Sequence, residues 1–278
     1  MRIFRIFLLL LLPLTTAKAF PPAPYYTLLG MVRDQVGQTV TAEGAEILLL
    51  KGTEIIARTP VSSAAALDQN YELKIRLDTN RANTQLYTDK AIAAQEVFSL
   101  AVEMNGQRFY PIEASGTLKA GKGGERVRLD LNLGEDTDGD GLPDVWEQWQ
   151  LYQSGHSPGP DGWDLSLLSR DGDFDHDGLS DWLEYVAGTF AGDAMERFDL
   201  AIKEKTAAFV RLEFYAITGK TYTIERSTDL KTWSRAPFAL TEAAEKTETL
   251  TAAAVAVRPA FVTPGSAAAP EFYRLTVR

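Results

Sequence analysis

Two twelve-residue stretches of this sequence carry carboxylates at matching intervals, 37 residues apart. The first contains Asp136, Asp138, Asp140, Gly141, Leu142, Asp144 and Glu147; the second contains Asp173, Asp175, Asp177, Gly178, Leu179, Asp181 and Glu184. They agree at loop positions 1, 3, 5, 6, 7, 9 and 12. A hard cation such as calcium takes six to eight oxygens at about 2.3–2.6 Å. Asp at positions 1, 3 and 5 puts three carboxylates into one tight coil. Gly141 and Gly178 allow the sharp turn that a side chain would block. The main-chain carbonyls of Leu142 and Leu179 stand where a fourth ligand is expected. Asp144 and Asp181 are placed to act through water, and Glu147 and Glu184 to close the site with both oxygens. Two solvated acidic turns would not need to keep the glycine and the distant glutamate in register. Magnesium demands a stricter octahedron and keeps more of its water, so the expected cofactor is calcium, two ions per chain.

The charge balance points to the same stretch. The chain carries −10, and without the three bases of residues 1–19 it carries −13. Residues 135–192 hold fourteen acids and one base, Arg170, which is also −13. The acidity is therefore concentrated where cations would bind, and nucleic acid is excluded as a partner of this surface.

Residues 1–19 read as a secretory signal peptide: a basic start at Arg2 and Arg5, an apolar run from Ile6 to Leu14, and Ala17-Lys18-Ala19 before Phe20. The expected localisation is export, secreted or in the cell envelope, with no membrane span in the mature chain. There is no cysteine, so disulfides cannot stiffen small domains, and metal is the common substitute.

The elements that must position the loops are mostly strands. Alternation is clearest in Tyr71–Leu77 and Val127–Leu133, with further strands at Tyr25–Val32, Ala45–Leu50, Glu54–Arg58 and Val97–Met104. Each acidic loop runs into a short helix, Asp144–Tyr152 and Ser180–Ala187, the second stopped by Gly188. Val145, Trp149 and Tyr152 can share one face of the first helix, and Trp146, Trp149, Trp163 and Trp182 supply a small core. After the loops, strands are expected at Phe198–Lys203, Ala208–Tyr215, Thr221–Arg226, Thr247–Val257 and Phe272–Val277. The predicted fold class is mainly β: two β-sandwich domains, 20–134 and 193–278, joined by a small helical calcium-binding module, 135–192.

Three resemblances add to this. Gly30 to Gly37, followed by Ala45 to Leu50, resembles the opening of carboxypeptidase-regulatory-like (transthyretin-like) domains, with Gln38-Thr39 where a proline often stands. Any small antiparallel sandwich accounts for the same pattern. The acidic loops resemble EF-hands in their ligands but not in their setting, since the first is entered from a strand. They are more similar to the thrombospondin type 3-like and dockerin-like calcium repeats of exported proteins. They lack the cysteines of the former and carry Glu where dockerins usually carry Asp. Thr221 to Trp233 and Phe272 to Val277, preceded by Glu184-Tyr185-Val-Ala-Gly188-Thr189, resemble the C-terminal β-domain of exported bacterial modular proteins. That likeness implies an immunoglobulin- or fibronectin-like sandwich and names no activity.

No catalyst is legible. The two histidines, His156 and His176, sit in loops without a nucleophile elbow, and a zinc site would need more His or Cys. The expectation is a non-enzymatic, calcium-binding structural or adhesive protein whose partner is a protein or glycan at the cell envelope. The alternatives are a carbohydrate- or protein-binding module, with Tyr25, Tyr26, Trp233 or Tyr273 as stacking groups, and a dockerin-like adaptor.

Overall fold

The computed structural model describes residues 24–62, 69–78, 90–114, 118–265 and 270–278. The expected signal peptide, 1–19, lies outside the described residues. The fold is mainly β. In the first part β1 (Tyr26–Gly30), β2 (Val32–Arg33), β3 (Glu46–Lys51), β4 (Glu54–Pro60), β5 (Tyr71–Ile75), β6 (Val97–Met104), β7 (Gln107–Phe109), β8 (Leu118–Lys119), β9 (Arg126–Arg128) and β10 (Leu131–Asn132) follow in order. Tyr71, Leu73 and Ile75 turn inward and Glu72 and Lys74 outward, as alternation requires. One sheet has the order β5-β1-β9, with β10 on β2 beyond it; the other has the order β4-β3-β6-β7, with β8 also on β6. Leu28 and Leu73 of the first sheet and Ile47, Leu49, Leu100 and Val102 of the second share one core.

One pairing positions everything downstream. β9 runs parallel to β1, and β10 parallel to β2. Leu131 N donates to Met31 O at 2.7 Å, and Leu133 N to Arg33 O at 2.9 Å. The chain leaving β10 therefore enters the first acidic loop alongside the turn Asp34–Gln38 that leaves β2. The single strand expected over Val127–Leu133 is broken at Leu129–Asp130, where the Asp130 carboxylate accepts from Met31 N and from Arg33 Nη1, both at 3.1 Å. A Cβ on Gly30 would lie 2.4 Å from Leu129 O, so only glycine permits that approach.

After the loops come β11 (Ala201–Lys205), β12 (Val210–Ala216), β13 (Thr221–Ser227), β14 (Ser234–Arg235), β15 (Phe238–Ala239), β16 (Leu250–Thr251), β17 (Ala256–Val262) and β18 (Phe272–Val277). They form the sheets β11-β12-β17-β15 and β14-β13-β16, with β18 also on β13. Leu212, Phe214, Tyr222, Ile224, Phe238 and Val262 make a second core. The strand expected over Thr247–Val257 is two strands in two sheets. The chain changes sheet after Thr251, and β17 continues through Pro259, opposite Glu213. A proline so far inside a run argues against a strand in sequence, and here it sits in one.

Between the β regions lie α1 (Asp144–Gln153) and α2 (Asp181–Ala187), close to the expected bounds. Leu142, Trp146, Leu151, Leu168, Tyr185 and Ala191 form their core. The face of α1 is a correction. Val145, Trp149 and Tyr152 do share a face, but it points to solvent at 41%, 51% and 66% exposure. The buried face instead carries Trp146, Glu147, Gln150 and Leu151. Turning the glutamate inward, toward the acidic loop, forces the aromatic stripe outward. Trp163 and Trp182 pack at the edge of this core as expected.

Candidate metal centre

The two loops repeat one hydrogen-bond scheme. At position 1, Asp136 accepts from Gly141 N and Asp173 from Gly178 N, both at 3.0 Å. At position 5, Asp140 Oδ1 accepts from Leu142 N and Asp177 Oδ1 from Leu179 N, both at 2.7 Å. At position 9, Asp144 accepts from Thr137 N at 2.8 Å and Asp181 from Phe174 N at 2.9 Å. These bonds coil each loop inward on its own carboxylates. Gly141 and Gly178, at φ 96° and 97°, are left-handed as the spacing required. Position 4 is left-handed too, at Gly139 (φ 81°) and His176 (φ 63°).

The coil brings the triads together. Ligand atoms of Asp136, Asp138 and Asp140 lie within 4.8 Å of one another, and so do those of Asp173, Asp175 and Asp177. Burial, compounded by the neighbouring Asp140, holds the Asp138 carboxyl above its usual range. Asp175 is raised by burial and then by Asp177, against a lowering hydrogen bond from Asp177 N.

The glutamates complete each set. Glu147 and Glu184 are both fully buried, at 0% exposure. Neither oxygen of Glu147 has a hydrogen-bond partner, and Oε2 of Glu184 has none. Oε1 of Glu184 reaches only Thr189 Oγ1, at 3.5 Å. Burial first, and then the charges of Asp138 and Asp140, push Glu147 up to about 9. Burial, then Asp175 and Asp177, push Glu184 up to about 8. A buried carboxylate is normally paired or hydrogen-bonded. Glu147 is neither, and Glu184 has only the long Thr189 contact; each lies in the field of an aspartate triad, an arrangement matched in chemistry to a multivalent cation with hard oxygen preference. Asp175 Oδ2 and Asp177 Oδ2 are likewise buried without a hydrogen bond. This donor set fits calcium.

The remaining expected ligands fall in two groups. Leu142 and Leu179 follow the coil at position 7, where their main-chain carbonyls are the groups a cation could use. The Leu142 side chain is fully buried in the core below. Asp144 and Asp181 are nearly buried and spend their carboxylates on the loop backbone; Asp181 also accepts from Ser169 N at 2.9 Å. They shape the loop whether or not a water carries them to a metal.

Several residues around the loops escaped the sequence reading. Arg170 N donates to Asp140 Oδ2 at 3.0 Å and ties the loops together, while its guanidinium lies 3.6 Å from the Trp182 ring centre. Arg197 donates to Asp177 O at 2.9 Å and faces Asp177 Oδ2 at 3.5 Å. An arginine twenty residues beyond Asp177 has no spacing signature.

Of the aromatic groups considered for glycan stacking, Tyr26 is buried in the first core. Trp233 lies under the Arg274 guanidinium at 4.3 Å, and Tyr273 donates to Glu271 Oε2 at 3.0 Å. Tyr25 is 44% exposed. No family model, curated protein or solved structure matches this chain.

Proposed function

We propose that the chain is an exported, non-enzymatic calcium-binding protein of structural or adhesive type. In this reading two ions, one in each loop, stiffen the connector between two β-sandwich domains. The observation that carries it is the pair of buried glutamates, Glu147 with both oxygens and Glu184 with Oε2 lacking a hydrogen bond, each set against three aspartates. Without a cation the ten Asp and Glu side chains of the two loops repel one another, and the small core below is too poor in apolar residues to hold them alone. A metal that binds only the folded loops stabilises them by mass action. The expected affinity lies in the extracellular range of about 10⁻⁴–10⁻³ M or tighter.

Titration calorimetry tests this directly, with close to two calcium ions per chain expected. No uptake at millimolar calcium would overturn the reading. Limited proteolysis adds a structural readout: cleavage between the loops, residues 153–172, is expected in chelator and suppressed by calcium.

A further inference from the structure

Three distant segments meet at one buried point. Lys220 is fully buried, and its Nζ donates to Gly37 O and to Val186 O, both at 2.6 Å. Gly37 belongs to the turn after β2, Val186 to the last turn of α2, and Lys220 to the turn before β13. Tyr185, also fully buried, donates through its hydroxyl to Asp34 O at 2.8 Å. The fit is close: a Cβ on Gly37 would lie 2.2 Å from Tyr185 O, and one on Gly188 would lie 2.8 Å from Lys220 Cε. Val186 O lies at the carbonyl end of α2, where the helix dipole favours a cation. Arg33 and Asp34 are the charged groups that act on the ammonium, with opposite sign.

The same helix carries the last ligand of the second loop. Glu184, Tyr185 and Val186 are consecutive, and α2 is only seven residues long. Two turns of hydrogen-bonded helix move as one piece, so a force on Glu184 is a force on Tyr185 and Val186. The first loop lacks this link. Among the described residues no hydrogen bond joins α1 to either turn. Gln150 Oε1 accepts from Ala191 N at 3.0 Å, and Trp146 meets Tyr185 only ring edge to face, at 5.7 Å.

We infer that the second loop alone sets how the two β regions are held, with α2 as the lever and Lys220 and Tyr185 as the bolts. This rests on the calcium reading and deepens it: the two sites have different duties, the first local and the second a control of the joint. Coupling is reciprocal, so undocking the Lys220 turn must weaken calcium at the second site by the same factor that calcium strengthens docking. Lys220 and Tyr185 are positioning residues, since neither belongs to the ligand set.

The test uses the purified protein, which has no native cysteine, carrying Thr53→Cys and Ala243→Cys for a pair of fluorophores. Both sites are solvent-exposed, one in each β region. At saturating calcium a single narrow distance distribution is expected. Glu184→Gln should broaden it, while Glu147→Gln leaves it narrow. Lys220→Met should broaden it with both loops intact, and should lower affinity at the second site about fivefold or more, leaving the first unchanged. Tyr185→Phe, which removes one oxygen and keeps the core, should do the same to a smaller degree and guards against a Lys220 variant that fails to fold. Equal broadening by Glu147→Gln and Glu184→Gln overturns the inference, and so does a narrow distribution in both Lys220→Met and Tyr185→Phe. Calorimetry on the doubly labelled parent protein separates the two levels. Two ions bound with equal broadening removes the lever alone, and no ions bound removes the calcium reading with it.

Discussion

Lys220 Nζ lies 2.6 Å from the carbonyl oxygen of Gly37, a hydrogen bond that spans 183 residues of chain. Gly37 has φ 77°, and the Tyr185 carbonyl closes over its Cα. Gly37→Ala should therefore cost about 1–3 kcal/mol from backbone strain, with further loss from the contact with Tyr185. Chemical denaturation checks it. A change within a few tenths of a kcal/mol would mean that the turn moves freely away from α2.

Position 9 and position 12 of the second loop should fail in different ways. Asp181→Ala orphans the N–H groups of Phe174 and Ser169 and should destabilise the fold by about 2 kcal/mol or more, with or without metal. Glu184→Gln replaces a buried carboxyl, held only by Thr189 Oγ1 at 3.5 Å, with a neutral amide. Above its folded value of about 8, where the carboxyl is charged, the substitution should stabilise the metal-free protein, and it should abolish most binding at that loop. Thermal melts in chelator, paired with calorimetry, separate the two. Matching behaviour would show that Asp181 and Glu184 have interchangeable roles.

Acidity should protect the metal-free form. Burial and neighbouring aspartates raise Glu147 from 4.5 to about 9 and Glu184 from 4.5 to about 8. Both carboxyls hold their protons more tightly folded than unfolded. The folded chain thus binds more protons across that window, and stability present below 4.5 is lost as pH rises through the folded values. In chelator, melting should be lower at pH ~8 than at pH ~5. Calcium should remove the difference, since the metal takes the place of the protons. A metal-free protein whose melting rises over this range would contradict the placement of the two glutamates.

His176 stands at position 4 with φ 63°, where the first loop has Gly139. A β-branched residue there is a backbone outlier, so His176→Val should cost about 1–2 kcal/mol and weaken calcium at the second loop. His176→Gly should be neutral or stabilising, because the side chain is exposed. Loss of stability on His176→Gly would show that the imidazole makes a contact that matters.

The sequence by itself determined what is local. Gly141 and Gly178, the aspartates at alternate positions and the glutamates at position 12 are legible because a loop of twelve residues encodes its own coil. The structure brings each triad to within 4.8 Å, with the helices beginning at Asp144 and Asp181. The alternating strands Tyr71–Ile75 and Phe272–Val277 are legible for the same reason, since a period of two lies within a few residues. What only the tertiary structure decided lies across long separations. Val145, Trp149 and Tyr152 read as an inward stripe until Glu147, on the opposite face, is claimed by the loop. β17 runs through Pro259 because β12 pairs along its whole length, while β15 reaches only Phe261 and Val262 and leaves the edge beside the proline without a ladder. Nothing near Lys220 in the sequence indicates that it is buried, or that its partners are Gly37 and Val186. Those carbonyls reach it only because β10 pairs parallel to β2 and delivers the first loop beside the Asp34 turn, against which α2 then packs. Contacts of that kind are fixed by the packing of whole elements, and no short-range pattern records them.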